Sequence, residues 1–99
     1  MKQLPKITSY GNYSSDNYGV NSLKVVLETI TLYYSYETII AYQDSQDGLI
    51  VHQNVWKTTT GKHLNWIDNG NKKSRLDGCK FDEMLQAALD RHIVWFITF

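Results

Sequence analysis

The chain has one cysteine, Cys79, one proline and no formal net charge. A single thiol cannot form a disulfide framework within the chain, which fits a reducing compartment. Zero net charge removes any global field that would draw the chain to nucleic acid or to a bilayer. It also leaves little repulsion between copies, so a homo-oligomer is compatible with the composition. The longest apolar stretch, Ile93 to Ile97, is far too short to span a bilayer, and MKQLPKITSY holds no apolar segment of signal-peptide length. The expectation is a cytoplasmic protein without a membrane role. Asn12-Tyr13-Ser14 matches a glycosylation acceptor, which carries no weight without a secretion signal. Soft metal ligands are sparse: His52, His63, His92 and Cys79 include no two at zinc-type spacing, so no metal site is expected. No GxSxG elbow occurs, and the only activating feature for a nucleophile is the position of Cys79 just before a helix, where the dipole lowers a thiol pKa. A lone cysteine is more simply a small apolar group. No catalytic residue and no cofactor are expected.

What is present is a fold signal. Ninety-nine residues, 42% apolar and 20% charged, suffice for a single domain over 1–99 that folds without metal or disulfides. Between Ser22 and Val55 the segments SLKVVLET, ITLYYSY, ETIIAYQ and GLIVHQN are rich in β-branched and aromatic residues, with no proline between them. Leu23, Val25 and Leu27 share one side of the first; Leu32, Tyr34 and Tyr36 share one side of the second, opposite Thr31, Tyr33 and Ser35. Asp44-Ser45-Gln46-Asp47-Gly48 reads as a hairpin turn. The link at Tyr36-Glu37-Thr38 has no turn residue, so a bulge or a bent continuous strand fits as well as a tight hairpin. Phe81, Leu85, Ala88, Leu89 and His92 form one face of a helix, with Asp82 and Glu83 in its first turn and Arg91 and His92 in its last. The uncharged IVWFITF that follows reads as a final buried strand or a contact with another chain. The fold class is α+β: an antiparallel sheet of about five strands with one main helix packed on a face.

Two segments hold the candidate contacts. Residues 9–22, SYGNYSSDNYGVNS, mix turn-forming residues with Tyr10, Tyr13 and Tyr18. The simpler reading is a loop pinned by its tyrosines, and the sharper one a recognition loop. Residues 57–80 carry six Lys or Arg against two Asp, although the chain as a whole is neutral. There Lys57, Lys62, Lys72, Lys73, Arg75 and Lys80 flank Trp56, His63 and Trp66, the mixture that tracks phosphate and stacks on bases. Against nucleic acid stand the neutral total and the absence of any recognised motif. The simpler reading is a solvated loop anchored by its tryptophans. Thr58-Thr59-Thr60-Gly61-Lys62 lacks the frame of a P-loop. Thr59 or Thr60 is positioned to cap a short helix bearing His63, Leu64 and Ile67.

The phrases SYGNYSSDNYGVNSL, LYYSYETIIAY, GLIV and WKTTTGKHLNWID resemble a small family of uncharacterised domains carried by phages and other mobile elements. The resemblance covers most of the chain, and TTTGKHLNWI is its most specific phrase. It implies a viral or mobile-element origin and carries over no catalytic residue. Small phage accessory proteins often bind a host protein, including components of bacterial defence. The expected function is therefore a non-enzymatic, anti-CRISPR-like inhibitor of a host defence nuclease, acting by protein–protein occlusion through Tyr13, Tyr18, Lys62, His63, Trp66, Lys72 and Lys73. The alternative is a single-stranded nucleic-acid-binding module.

Overall fold

The computed structural model describes residues 6–10, 22–56 and 58–93. Five strands, β1 (Lys6–Ser9), β2 (Ser22–Val26), β3 (Ile30–Ser35), β4 (Thr38–Asp44) and β5 (Gly48–Val51), are followed by helices α1 (Thr58–Asp68) and α2 (Gly78–Ile93), with a 3-10 turn at Lys72–Ser74 between them. The strands pair in sequence order, each antiparallel to the next. The α+β expectation holds, with two differences of placement. β1 adds a strand at the N-terminal side of the sheet, where no strand was expected; it is short and exposed, so it has no apolar periodicity to announce it. The strand expected over residues 93–99 starts, at Ile93, inside α2, and residues 94–99 lie outside the described residues. No helix among the described residues is long and apolar enough to cross a membrane.

Side-chain parity puts one helix on each side of the sheet. Ile30, Leu32 and Tyr42 pack with Phe81 and Ala88 of α2, flanked by Val25, Tyr34, Ile39, Met84, Leu85 and Leu89. The alternate residues Tyr33 and Ala41, with Ile40 and Val51, pack with Leu64 and Ile67 of α1. The sheet is thus clad on both faces, whereas the sequence reading placed one main helix on one face. A bulge makes this possible. The register shifts between Tyr33 and Tyr34 so that Ile40 is the extra residue of β4. Strict alternation breaks there, and the adjacent Ile40 and Ala41 both serve the α1 side while Ile39 and Tyr42 serve the α2 side. The β3–β4 link is also a tight two-residue turn. Tyr36 takes it with φ 57, a left-handed conformation rare for a bulky residue. Gly48, at φ 72, closes the β4–β5 hairpin as its sequence predicts.

The polar ends of α2 hold it in place. Asp77, one residue before the helix, accepts the Lys80 backbone N–H at 2.9 Å. The helix starts earlier than the apolar stripe, so Asp82 and Glu83 fall outside the first turn, and Cys79 lies within the helix, exposed. At the far end the Arg91 guanidinium and His92 Nε2–H donate to the Asp44 carboxylate at 2.9 and 2.8 Å, and Arg91 also donates to Asp47 at 2.9 Å. His92 Nδ1 meets the Thr29 hydroxyl at 2.7 Å, which makes it the boundary histidine its position on the helix suggests.

Candidate functional site

The side of the molecule covered by α1 brings together Tyr10, Tyr36, His63 and Trp66. α1 itself is fixed by its inner stripe. Leu64 is wholly buried, and His63 beside it shares a hydrogen bond with Ser35 of β3 at 2.7 Å, while Thr60 meets the same Ser35 hydroxyl at 2.9 Å. All three of these polar residues are buried, so the Ser35–His63 pair lies beyond the reach of a substrate and serves to position the helix. Thr59 and Thr60 lie inside the helix, which begins at Thr58, and not at its cap; the Thr60 hydroxyl is engaged with the sheet. Tyr10 adds a wedge. Its hydroxyl donates to the Tyr34 carbonyl at 2.7 Å, and its ring lies edge-on to Tyr33 at 5.4 Å, beside His63 at 6.0 Å and Trp66 at 5.5 Å. Its backbone N–H donates to the Ser22 carbonyl, and the Ser22 hydroxyl donates back to the Tyr10 carbonyl at 2.7 Å.

Above this buried layer stand two exposed aromatics. Trp66 is 47% exposed and Tyr36 50%, and the rings next to them are Tyr10 for the first and His63, at 6.2 Å, for the second. Lys62 lies one helical turn before Trp66, on the exposed side of α1. Lys72 and Lys73 occupy the exposed 3-10 turn that follows.

Between α1 and the residues leaving β5 lies a polar cleft of about 410 Å³, lined by Gln53, Asn54, Gly61, Asn65, Lys72 and Arg75. It exists because the chain after the 3-10 turn crosses back to the edge of β5. Leu76 donates its N–H to the Val51 carbonyl, and Gln53 donates to the Leu76 carbonyl, each at 2.8 Å. That crossing sets Arg75 against α1. Its Nε and Nη2 bond both oxygens of Asp68 at 2.6 and 2.9 Å, and Nη2 also donates to Asn65 Oδ1 at 3.0 Å. The Arg75 side chain is only 4% exposed. The other wall comes close at Gly61, where a Cβ would meet Asn54 Nδ2 at 2.9 Å. Glycine there keeps α1 and the 53–54 segment at their present spacing.

The residues expected from sequence separate into three groups. Lys62, Trp66, Lys72 and Lys73 lie on this side of the molecule, on α1 and the turn after it. His63 stands apart from them, its ring buried among Ser35, Tyr10 and Tyr36. Tyr13 and Tyr18 lie outside the described residues. The basic set proposed to track phosphate also thins. Arg75 is committed to Asp68, and Trp56 packs on His52 at 4.6 Å and against the Val51–Leu64 cluster. The sequence reading missed Tyr36 as a displayed ring, and it missed Gln53, Asn54 and Asn65, polar residues without periodicity or motif. The one signal available for Arg75 was its separation from Asp68 across Asn69-Gly70, a turn in which Asn69 and Gly70 both take positive φ.

Residues 5–83 match a protein family of unknown function, DUF8033, and the chain belongs to that family. No curated protein and no solved structure matches the chain.

Proposed function

We propose that this member of the DUF8033 family is a non-enzymatic binding protein of a phage or other mobile element, one that acts by covering the surface of a host protein, with a defence nuclease such as a CRISPR effector as the partner class. The observation that carries the reading is Trp66. A large aromatic, nearly half exposed, is mounted on a helix that a buried histidine and a buried leucine lock to the sheet. Rigid aromatic anchors flanked by cations are the usual hot spots of protein interfaces, because they bury much area for little lost freedom. Lys62, Lys72 and Lys73 supply the cations, and Tyr36 a second ring. With the Arg75 side chain buried and Trp56 partly buried, fewer exposed groups remain for a strand of nucleic acid to follow.

The test is capture of partners from host lysate by the tagged full chain, with and without nuclease, beside the triple variant Trp66→Ala, Lys72→Glu, Lys73→Glu. The expected result is a stoichiometric protein that survives nuclease and is retained at least about tenfold less by the variant, a loss within the reach of one hot-spot residue. The variant should stay folded and lose no more than about 3 kcal/mol, since both lysines are exposed and Trp66 is about half exposed beside Tyr10. Partners that vanish with nuclease, with affinity that falls steeply as salt rises, would replace this reading with nucleic-acid binding.

A further inference from the structure

We propose that the cleft between the 53–54 segment, α1 and the 3-10 turn is a binding site for a small oxyanion, a carboxylate or a phosphate. A guanidinium has five N–H groups. Arg75 uses Nε and Nη2 on Asp68 and Asn65, and no described residue bonds Nη1, although the side chain is almost wholly buried and lines the cleft. Two charged N–H groups are thus left at a wall of the cleft.

The amides are oriented the same way. Asn65 Oδ1 accepts from Arg75, and Asn54 Oδ1 accepts the Trp56 backbone N–H at 2.9 Å. Each carbonyl oxygen is committed within the protein, so each amide has its NH₂ group left to offer. The Asp68 carboxylate is spent as well. Its Oδ2 takes Arg75 Nε, and its Oδ1 takes Arg75 Nη2 and the Gly70 N–H at 3.0 Å. Lys72 adds an ammonium that no acidic residue among the lining balances. The walls therefore present N–H donors and one uncompensated positive charge, with the side-chain acceptors of Asn54, Asn65 and Asp68 already occupied. A ligand rich in acceptor oxygens and carrying negative charge completes that set, and charge-assisted hydrogen bonds of this kind are the strong ones. The volume is at the lower end of the range of small-molecule sites. The inference does not depend on which macromolecule covers α1.

The experiment is a titration of the ¹⁵N-labelled full chain with sodium phosphate in one arm and sodium glutarate in the other, at constant ionic strength, with sodium chloride as the control. It reads the side-chain N–H signals of Arg75, Asn54 and Asn65. A saturable shift at these groups in either anion arm and not in chloride is expected, and the tighter arm identifies the oxyanion class. Lys72→Met should weaken binding about tenfold, the worth of one charge-assisted hydrogen bond. Gly61→Ala should also weaken it, because the new methyl displaces the Asn54 amide, while the spectrum away from the cleft stays that of the folded chain. Shifts that never saturate, shifts equal to those in chloride, or affinity unchanged in both variants would overturn the proposal.

Discussion

Phe81→Ala is expected to lower folding stability by about 4 kcal/mol. Phe81 is wholly buried at the start of α2, where its ring lies 6.2 Å from Tyr42 and 5.0 Å from His52. It sits among Ile30, Leu32 and Ala88, so one side chain joins helix, strand and the chain leaving β5. Truncation removes the transfer energy of a phenyl group and leaves a cavity, because Tyr42 is itself held by a hydroxyl donated to Asp47 at 2.7 Å and cannot swing into the space. Urea unfolding measures the effect. The midpoint should fall with the slope unchanged, and the melting temperature should drop by roughly 20 °C for a chain of this size. A loss under about 1 kcal/mol would mean that α2 does not pack as described.

The second large effect is at Asp44, the buried acid at the end of β4. Its side chain is 0% exposed, and it accepts the Asp47 backbone N–H at 2.7 Å, the Arg91 guanidinium and His92. Burial by itself pushes the carboxyl up, but the Asp47 N–H, Arg91 and His92 outweigh it and hold the pKa at about 2, against an ordinary 3.8. Asp47 is held low as well, by the Tyr42 hydroxyl first and then Arg91. The Tyr42 hydroxyl is pushed up, by burial and then by its bond to Asp47, and keeps its proton as a donor. Both carboxyls have folded values below their unfolded ones, so folding favours their charged forms. The Asp44 contribution is full above the ordinary carboxylate range and is lost as pH falls through about 2. Asp44→Ala should cost roughly 3 kcal/mol near neutral pH. Arg91, 31% exposed, recovers part of its solvation, which keeps the loss from being larger. The gap between variant and parent should narrow as the pH falls from 5 towards 2, since protonation removes the same interactions from the parent. Parallel pH curves for the two proteins would show that Asp44 stabilises the fold without its charge.

The sheet was legible in the sequence because its strands are dense in β-branched and aromatic residues and its β4–β5 turn contains Gly48. The stripe Phe81, Leu85, Ala88, Leu89 likewise announced α2. The elements that escaped lack such a pattern. β1 is four exposed residues whose pairing partner, β2, lies beyond the 11–21 segment. The turn at Tyr36 carries no turn residue, since a tyrosine is forced into a conformation that glycine or asparagine would take more easily. The bulge at Ile40 hides within an apolar run, so nothing in the run shows that two neighbours face the same way. Lys62, Trp66, Lys72 and Lys73 were singled out by charge and aromatic content alone and lie exposed on the α1 side, and the same criterion included the buried His63: composition does not distinguish a displayed imidazole from a buried one. The cleft was invisible because its walls are amides from distant segments, brought together by the return of Leu76 to β5.

The most direct measurement is amide hydrogen exchange of the purified chain with and without the protein it captures. Binding through the α1 side predicts slowed exchange over residues 62–73, at Gln53 and Asn54 and at the Tyr36 turn, with the outer side of α2 unchanged. Protection confined to β1 and the outer side of α2, with residues 62–73 exchanging as in the free chain, would contradict it.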